Sequence, residues 1–151
     1  MRKEQPLPKH GACNLASLNL SEFVNKPFTN GSYFDYESFS EAVKIAIRGL
    51  DDVLDENMNN HPLKEQREMA YNYRNVGLGI MGLADCLIKL GITYGSNESI
   101  TLMDTIMHVM FTSSVIASVN LAKEKGPFPK YNPKLLESTI IKNHFTKSEL
   151  N

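Results

Sequence analysis

A thiol opens the most chemically suggestive run of this sequence, Gly11-Ala12-Cys13-Asn14-Leu15-Ala16-Ser17-Leu18-Asn19-Leu20. Cys13 stands at the mouth of an apolar, strand-like segment, and Glu4 lies upstream in Glu4-Gln5-Pro6-Leu7-Pro8. A carboxylate and a thiol joined by a proline-stiffened segment can share one site, the first as proton acceptor and the second as reductant. The plain alternative is an inert buried side chain, because an unpaired Cys behaves as a small hydrophobe.

Other chemistry is weaker. Gly77-Leu78-Gly79-Ile80-Met81-Gly82 satisfies the dinucleotide pattern G-x-G-x-x-G, in which glycines let a pyrophosphate approach a helix N-terminus. The preceding Tyr71 to Asn75 are polar and aromatic, and the acidic residue about twenty positions on would be Asp104, inside a helix. The alternative is that these glycines permit close packing. His10, His61, His108 and His144 stand singly without ligand spacing, so no metal site is expected. Cys86 follows Asp85 near a helix start, where a lowered pKa is conceivable but a structural role is favoured. Lys64, Glu65, Arg67 and Glu68 read as a solvated, mixed-charge helix face.

The elements that must position these residues are mostly helical. Residues 13–20 read as a strand, with Leu15, Ser17 and Asn19 on one face and Asn14, Ala16, Leu18 and Leu20 on the other. Pro27, Asn30 and Gly31 mark a loop. Over 36–55, Phe39, Val43, Ile47, Leu50 and Leu54 recur at helical spacing, with Ser38-x-x-Glu41 and Asp35 competing for the N-cap. A polar helix follows over 63–73, then a strand over 76–81 and a helix over 82–90 stopped by Gly91. The longest helix is expected over 97–125, ending at Gly126-Pro127, with its Met residues filling core. A weakly helical tail occupies 134–151.

The chain has 151 residues, 42% hydrophobic and 22% charged, enough to bury a core. Its formal net charge of -1 argues against a nucleic-acid polymer as partner. No apolar stretch is expected to span a membrane and the start lacks a signal-peptide core, so a cytoplasmic location is expected. Two cysteines make no secreted disulfide framework.

Cys13 to Leu20 closely resembles the Cys-Asn-Leu-Ala/Gly-Ser-Leu/Ile-Asn-Leu strand of the ribonucleotide reductase large, catalytic subunit. Further blocks stand in family order: Phe34-Asp35-Tyr36, Ala46 to Asp55, Arg74 to Asp85 and Leu121 to Phe128. The resemblance implies a predominantly helical α/β chain of 1–151, a partial segment of a ten-stranded α/β barrel starting within the active-site finger loop. The partner redox cysteine, the phosphate loop and the tyrosine pair of radical-transfer members are not found in this slice. Its unpaired strand edges predict poor solubility or association.

The resemblance also implies roles. Glu4 falls on the family's catalytic glutamate and would take the 3'-hydroxyl proton; Cys13 falls on one of two redox cysteines. The position of the radical-forming cysteine is Arg2, so the 151 residues alone are not expected to turn over ribonucleotides. An oxidoreductase of this family removes the 2'-hydroxyl by thiyl-radical chemistry for DNA synthesis, with a dithiol that closes to a redox-active disulfide as electron donor. The implied partners are a ribonucleotide, a thioredoxin-like reductant, the remaining large-subunit segments and a radical-generating small subunit. No cofactor is expected on this segment itself, and the radical source stays open between adenosylcobalamin and a metal-cofactor subunit. A non-catalytic helical interaction module, suggested by Arg2, and the dinucleotide reading are the alternatives.

Overall fold

The computed structural model describes residues 7–145. Two strands, β1 (Asn14–Asn19) and β4 (Val76–Met81), pair in parallel with Asn14 opposite Val76 and Asn19 opposite Met81. A parallel pair needs a crossover, and most of the intervening chain supplies it. A 3-10 turn (Leu20–Phe23) leads into a small antiparallel pair absent from the sequence expectations, β2 (Val24–Asn25) with β3 (Tyr33–Phe34). Helices α1 (Tyr36–Asn57) and α2 (Lys64–Tyr73) complete the connection. After β4 come α3 (Leu83–Leu90), α4 (Asn97–Lys125), a second 3-10 turn (Pro133–Glu137) and α5 (Thr139–His144).

Local chemistry explains the boundaries. Asp35, rather than Ser38, caps α1: its carboxylate accepts from the Ser38 backbone N at 3.0 Å and from Ser38 Oγ at 2.9 Å. Ser96 caps α4 by accepting from Ser99 N at 3.2 Å, and Gly126, at φ 85°, ends it. Gly91, at φ 75°, closes α3 in the left-handed region where glycine pays no steric penalty.

The helices cover only one face of β1 and β4. Leu18, Val76, Leu78 and Ile80 pack against a core built from Leu20, Phe34, Phe39, Val43, Ile47, Cys86, Ile106, Met110 and Ala117. Phe39 is fully buried, with the rings of Phe23 and Phe34 at centroid distances of 5.1 and 5.5 Å in edge-on geometry. On the opposite face Leu15 is 77% exposed. Alternation along the strand therefore sends Cys13, Leu15 and Ser17 to an open face, while Leu18 packs into the helix layer and Asn14 reaches α1.

Helices α1 and α4 run in the same direction, since Ser40 meets Ser113 (Oγ to Oγ 2.9 Å) and Arg48 meets Glu124 further along both. Helix α4 corrects one sequence expectation. Its length and an 18-residue window of mean hydropathy 1.4 suffice, by length and composition alone, to cross a membrane, and 22% of that window is buried. The helix is apolar on several sides: Ile106, Met110 and Ala117 enter the core, while Ile100, Met107, Ile116 and Val119 are exposed. At its outer side, His144 of α5 stacks on His108 (Nδ1 to Nδ1 2.9 Å) and packs on Phe111. Two of the four histidines thus meet in space despite standing singly in sequence.

Candidate active site

Cys13 sits immediately before β1, half-buried, on the uncovered face of the parallel pair. Its Sγ lies 3.6 Å from the Asn14 carbonyl oxygen. Burial pushes the thiol pKa up, so the protonated S–H form is favoured at neutral pH. The strand that bears it is pinned from behind, where Asn14 Nδ2 donates to the Leu50 carbonyl of α1 at 3.2 Å.

The neighbouring strand makes room for that thiol. A Cβ on Gly77 would stand 3.4 Å from Cys13 Sγ and 2.6 Å from Leu15 Cδ2; one on Gly79 would stand 3.2 Å from Ser17 Oγ. Gly77 and Gly79 lie inside β4, so the first two glycines of G-x-G-x-x-G face β1 side chains and do not form a strand-to-helix turn. The close packing they allow is between strand and strand. Only Gly82 stands at the helix start, at φ 70°, with Asn19 Oδ1 occupying the space a Cβ would take at 2.0 Å. That Asn19 oxygen accepts from Ser21 N and fixes the turn leaving β1.

A charged clamp that the sequence reading did not assign holds the start of β4. Arg74, left-handed at φ 47°, donates from Nε to Asp51 Oδ1 at 2.7 Å and from Nη2 to the Asp51 carbonyl at 3.1 Å, and pairs through Nη1 with Asp55 Oδ1 at 2.7 Å. Lys125, the last residue of α4, reaches Asp51, Asp52 and Asp55 at 2.7–2.9 Å. The three carboxylates offer oxygens within 4.8 Å of one another, and the Lys125 ammonium is the cation they surround. Burial pushes the Asp51 carboxyl up, but hydrogen bonds and charge from Arg74 and Lys125 outweigh it, leaving the net value lowered. For Asp55 the Arg74 hydrogen bond leads, and its value is also lowered. The available signal was three acids at i, i+1 and i+4 on α1 with an Arg two residues before a strand.

Behind β1, a cavity of about 70 Å³ opens among Ala12, Asn14, Leu54, Asn57, Met58, His61, Arg67 and Ala70. Arg67 therefore departs from the expected solvated face: it is half-buried, whereas Lys64, Glu65 and Glu68 are exposed. Cys86 is fully buried and its pKa is pushed up by burial, a structural thiol. Glu4 and Arg2 lie outside the described residues.

The sequence matches the family described as ribonucleotide reductase, barrel domain, over residues 3–149. The chain belongs to this family. A vitamin B12-dependent ribonucleoside-diphosphate reductase of Thermoplasma acidophilum is 40% identical over 85% of the chain and 16% of its own length. A ribonucleoside-diphosphate reductase subunit alpha of Chlamydia trachomatis is 39% identical over 79% of the chain and 11% of its own length. A ribonucleoside-diphosphate reductase large chain of Neurospora crassa is 33% identical over 85% of the chain and 13% of its own length. The chain thus spans a small part of these relatives, and the structure is a predominantly helical piece of the ribonucleotide reductase α/β barrel. The cavity behind β1 is far too small for a corrinoid.

Proposed function

We propose that this chain is a segment of the catalytic subunit of a ribonucleotide reductase, in which Cys13 is one of the two thiols that reduce the substrate and Glu4 the general base. The supporting observation is the Cys13 thiol on the open face of a parallel strand pair, beside a glycine that leaves its sulfur uncovered. Family membership supplies the reaction: a ribonucleotide loses its 2'-hydroxyl as water, and two electrons come from a dithiol that closes to a disulfide. Relatives named for ribonucleoside diphosphates favour a diphosphate substrate. A raised thiol pKa suits the role, because a protonated sulfur holds the hydrogen it must deliver.

The exposed apolar residues Leu15 on β1 and Ile100, Met107 and Ile116 on α4 support burial of this segment by the rest of a larger subunit. Alone, the chain does not turn over ribonucleotides in this reading, because Arg2 stands where the radical cysteine is expected and the sequence has two cysteines, one of them buried. The partners are the remaining subunit segments, a thioredoxin-like reductant that reopens the disulfide, and either adenosylcobalamin or a radical-generating small subunit. A cytoplasmic location belongs to the same reading.

The test is complementation with the remaining large-subunit segments, radical source and dithiol reductant. Turnover is expected with the natural sequence and lost with Cys13→Ser, while Glu4→Gln slows it by about a hundredfold or more, the usual contribution of a general base. Undiminished multiple turnover by Cys13→Ser rules out the assigned role.

A further inference from the structure

Asn30 and Gly31 stand side by side in the loop between β2 and β3, and nothing in the proposed chemistry uses them. The β2–β3 ladder ends with Asn25 opposite Tyr33, so Lys26 to Ser32 lie outside it, and both Asn30 and Gly31 are exposed. The loop is tied to α3 on either side of this dipeptide, where Phe28 N donates to the Lys89 carbonyl at 2.8 Å and Ser32 Oγ to the Leu90 carbonyl at 3.2 Å. Between those ties the holding is slight. The Gly31 N–H donates to the exposed Thr29 hydroxyl at 3.3 Å, and the Asn30 carboxamide makes no hydrogen bond among the described residues.

Asn and Gly are common in turns because they tolerate the left-handed region. Here neither occupies it, whereas Lys26 and Phe28 do, at φ 49° and 63°. A Cβ on Gly31 would meet nothing closer than 3.9 Å. Neither conformation nor packing requires this glycine. What its missing side chain provides is an unshielded backbone nitrogen directly after a free carboxamide. Other asparagines are held: Asn14 Nδ2 donates to the Leu50 carbonyl and Asn25 Nδ2 to Asp35, while Asn72 and Asn120 lie inside α2 and α4, whose ladders bind the next backbone nitrogen.

We infer that Asn30 is a covalent modification site, which deamidates in the folded chain with water as the only co-reactant. The Gly31 nitrogen gives its proton to a solvent base and attacks Asn30 Cγ. The new N–Cγ bond closes a five-membered succinimide, the Cγ–Nδ2 bond breaks, and ammonia leaves with a proton from solvent. Water then adds to either imide carbonyl and opens the ring to aspartate or isoaspartate. The sum converts an amide and water into a carboxylic acid and ammonia, and nothing is oxidised or reduced. The new carboxylate forms beside Lys26, whose Cδ is 3.9 Å from the place of a Gly31 Cβ. The site stands independently of the proposed role of Cys13.

Peptide mapping by mass spectrometry tests it, on the purified full chain incubated at mildly alkaline pH in buffer and, as a parallel arm, unfolded in guanidinium chloride. In the folded chain the peptide holding Asn30 is expected to show the mass gain of amide-to-acid conversion, as separate aspartate and isoaspartate forms, at a rate close to that of the unfolded chain. The peptides holding Asn14, Asn72 and Asn120 stay amidated while the chain is folded. Gly31→Ala places a methyl group beside the attacking nitrogen and is expected to lose the conversion at Asn30, with the circular dichroism spectrum and thermal midpoint of the natural sequence. An Asn30 that stays amidated in the folded chain overturns the inference, and conversion of the unfolded chain alone shows that the turn protects the amide. Conversion at an unaltered rate in Gly31→Ala overturns it as well.

Discussion

Removing the Arg74 clamp tests how the site strand is positioned. In Arg74→Gln the side chain keeps much of its length but loses its charge and fork. Asp51 and Arg74 side chains are only 11% and 18% exposed and meet at 2.7 Å, a charge-assisted bond worth about 1.5–3 kcal/mol between largely buried groups. The contact with Asp55, 44% exposed, adds less than about 1 kcal/mol after solvent screening. Arg74→Gln is therefore expected to destabilise the chain by about 2–4 kcal/mol, a large part of the roughly 5–15 kcal/mol typical of a domain. Asp51→Asn alone costs about as much, because Arg74 and Lys125 lose their shared carboxylate. The two losses overlap, so urea denaturation followed by far-UV circular dichroism should give a coupling energy of at least about 1.5 kcal/mol in the double-mutant cycle. Additivity within about 0.5 kcal/mol refutes the clamp, and the start of β4 is then held by its apolar packing alone.

Three further outcomes follow from the same geometry. Asp51 and Asp55 have folded-state pKa values below their ordinary ones, so their contribution is full above the unfolded carboxylate range near about 4 and is lost as pH falls through the folded values. The urea midpoint is expected to drop on acidification from about pH 6 to about pH 3, and less steeply in Asp51→Asn. Gly82→Ala places a Cβ 2.0 Å from Asn19 Oδ1 at φ 70° and should cost more than about 2 kcal/mol, whereas Gly77→Ala displaces only the tip of exposed Leu15 and should cost less than about 1 kcal/mol; equal costs in thermal denaturation contradict this. Native-state alkylation should modify Cys13, faster as pH rises towards its elevated pKa, and modify Cys86 only after unfolding; peptide mapping distinguishes the two.

Much of the local architecture is legible in the sequence because it depends on neighbours in the chain. The apolar period of Phe39, Val43, Ile47, Leu50 and Leu54, and the stop at Gly126, mark α1 and the end of α4. The alternation in β1 separates the Cys13 face from the core face before any partner is known. Two-residue β2 and β3 escape notice because so short a pair carries no period, and its existence depends on Phe34 packing beside Phe23 and Phe39. Helix α4 is misjudged as a membrane question because its charges cluster at its ends, leaving an apolar middle.

The sequence by itself determined the family, through ordered blocks from Cys13 to Phe128, and singled out Cys13 as the thiol to test. Only the tertiary structure decided that Gly77 stands beside that sulfur, that Arg74 and Lys125 converge on Asp51, and that Arg67 and His61 line one cavity. The physical reason is range: caps and periodicity act over a few residues, whereas these contacts join positions brought together by parallel pairing and by the packing of α1 against α4.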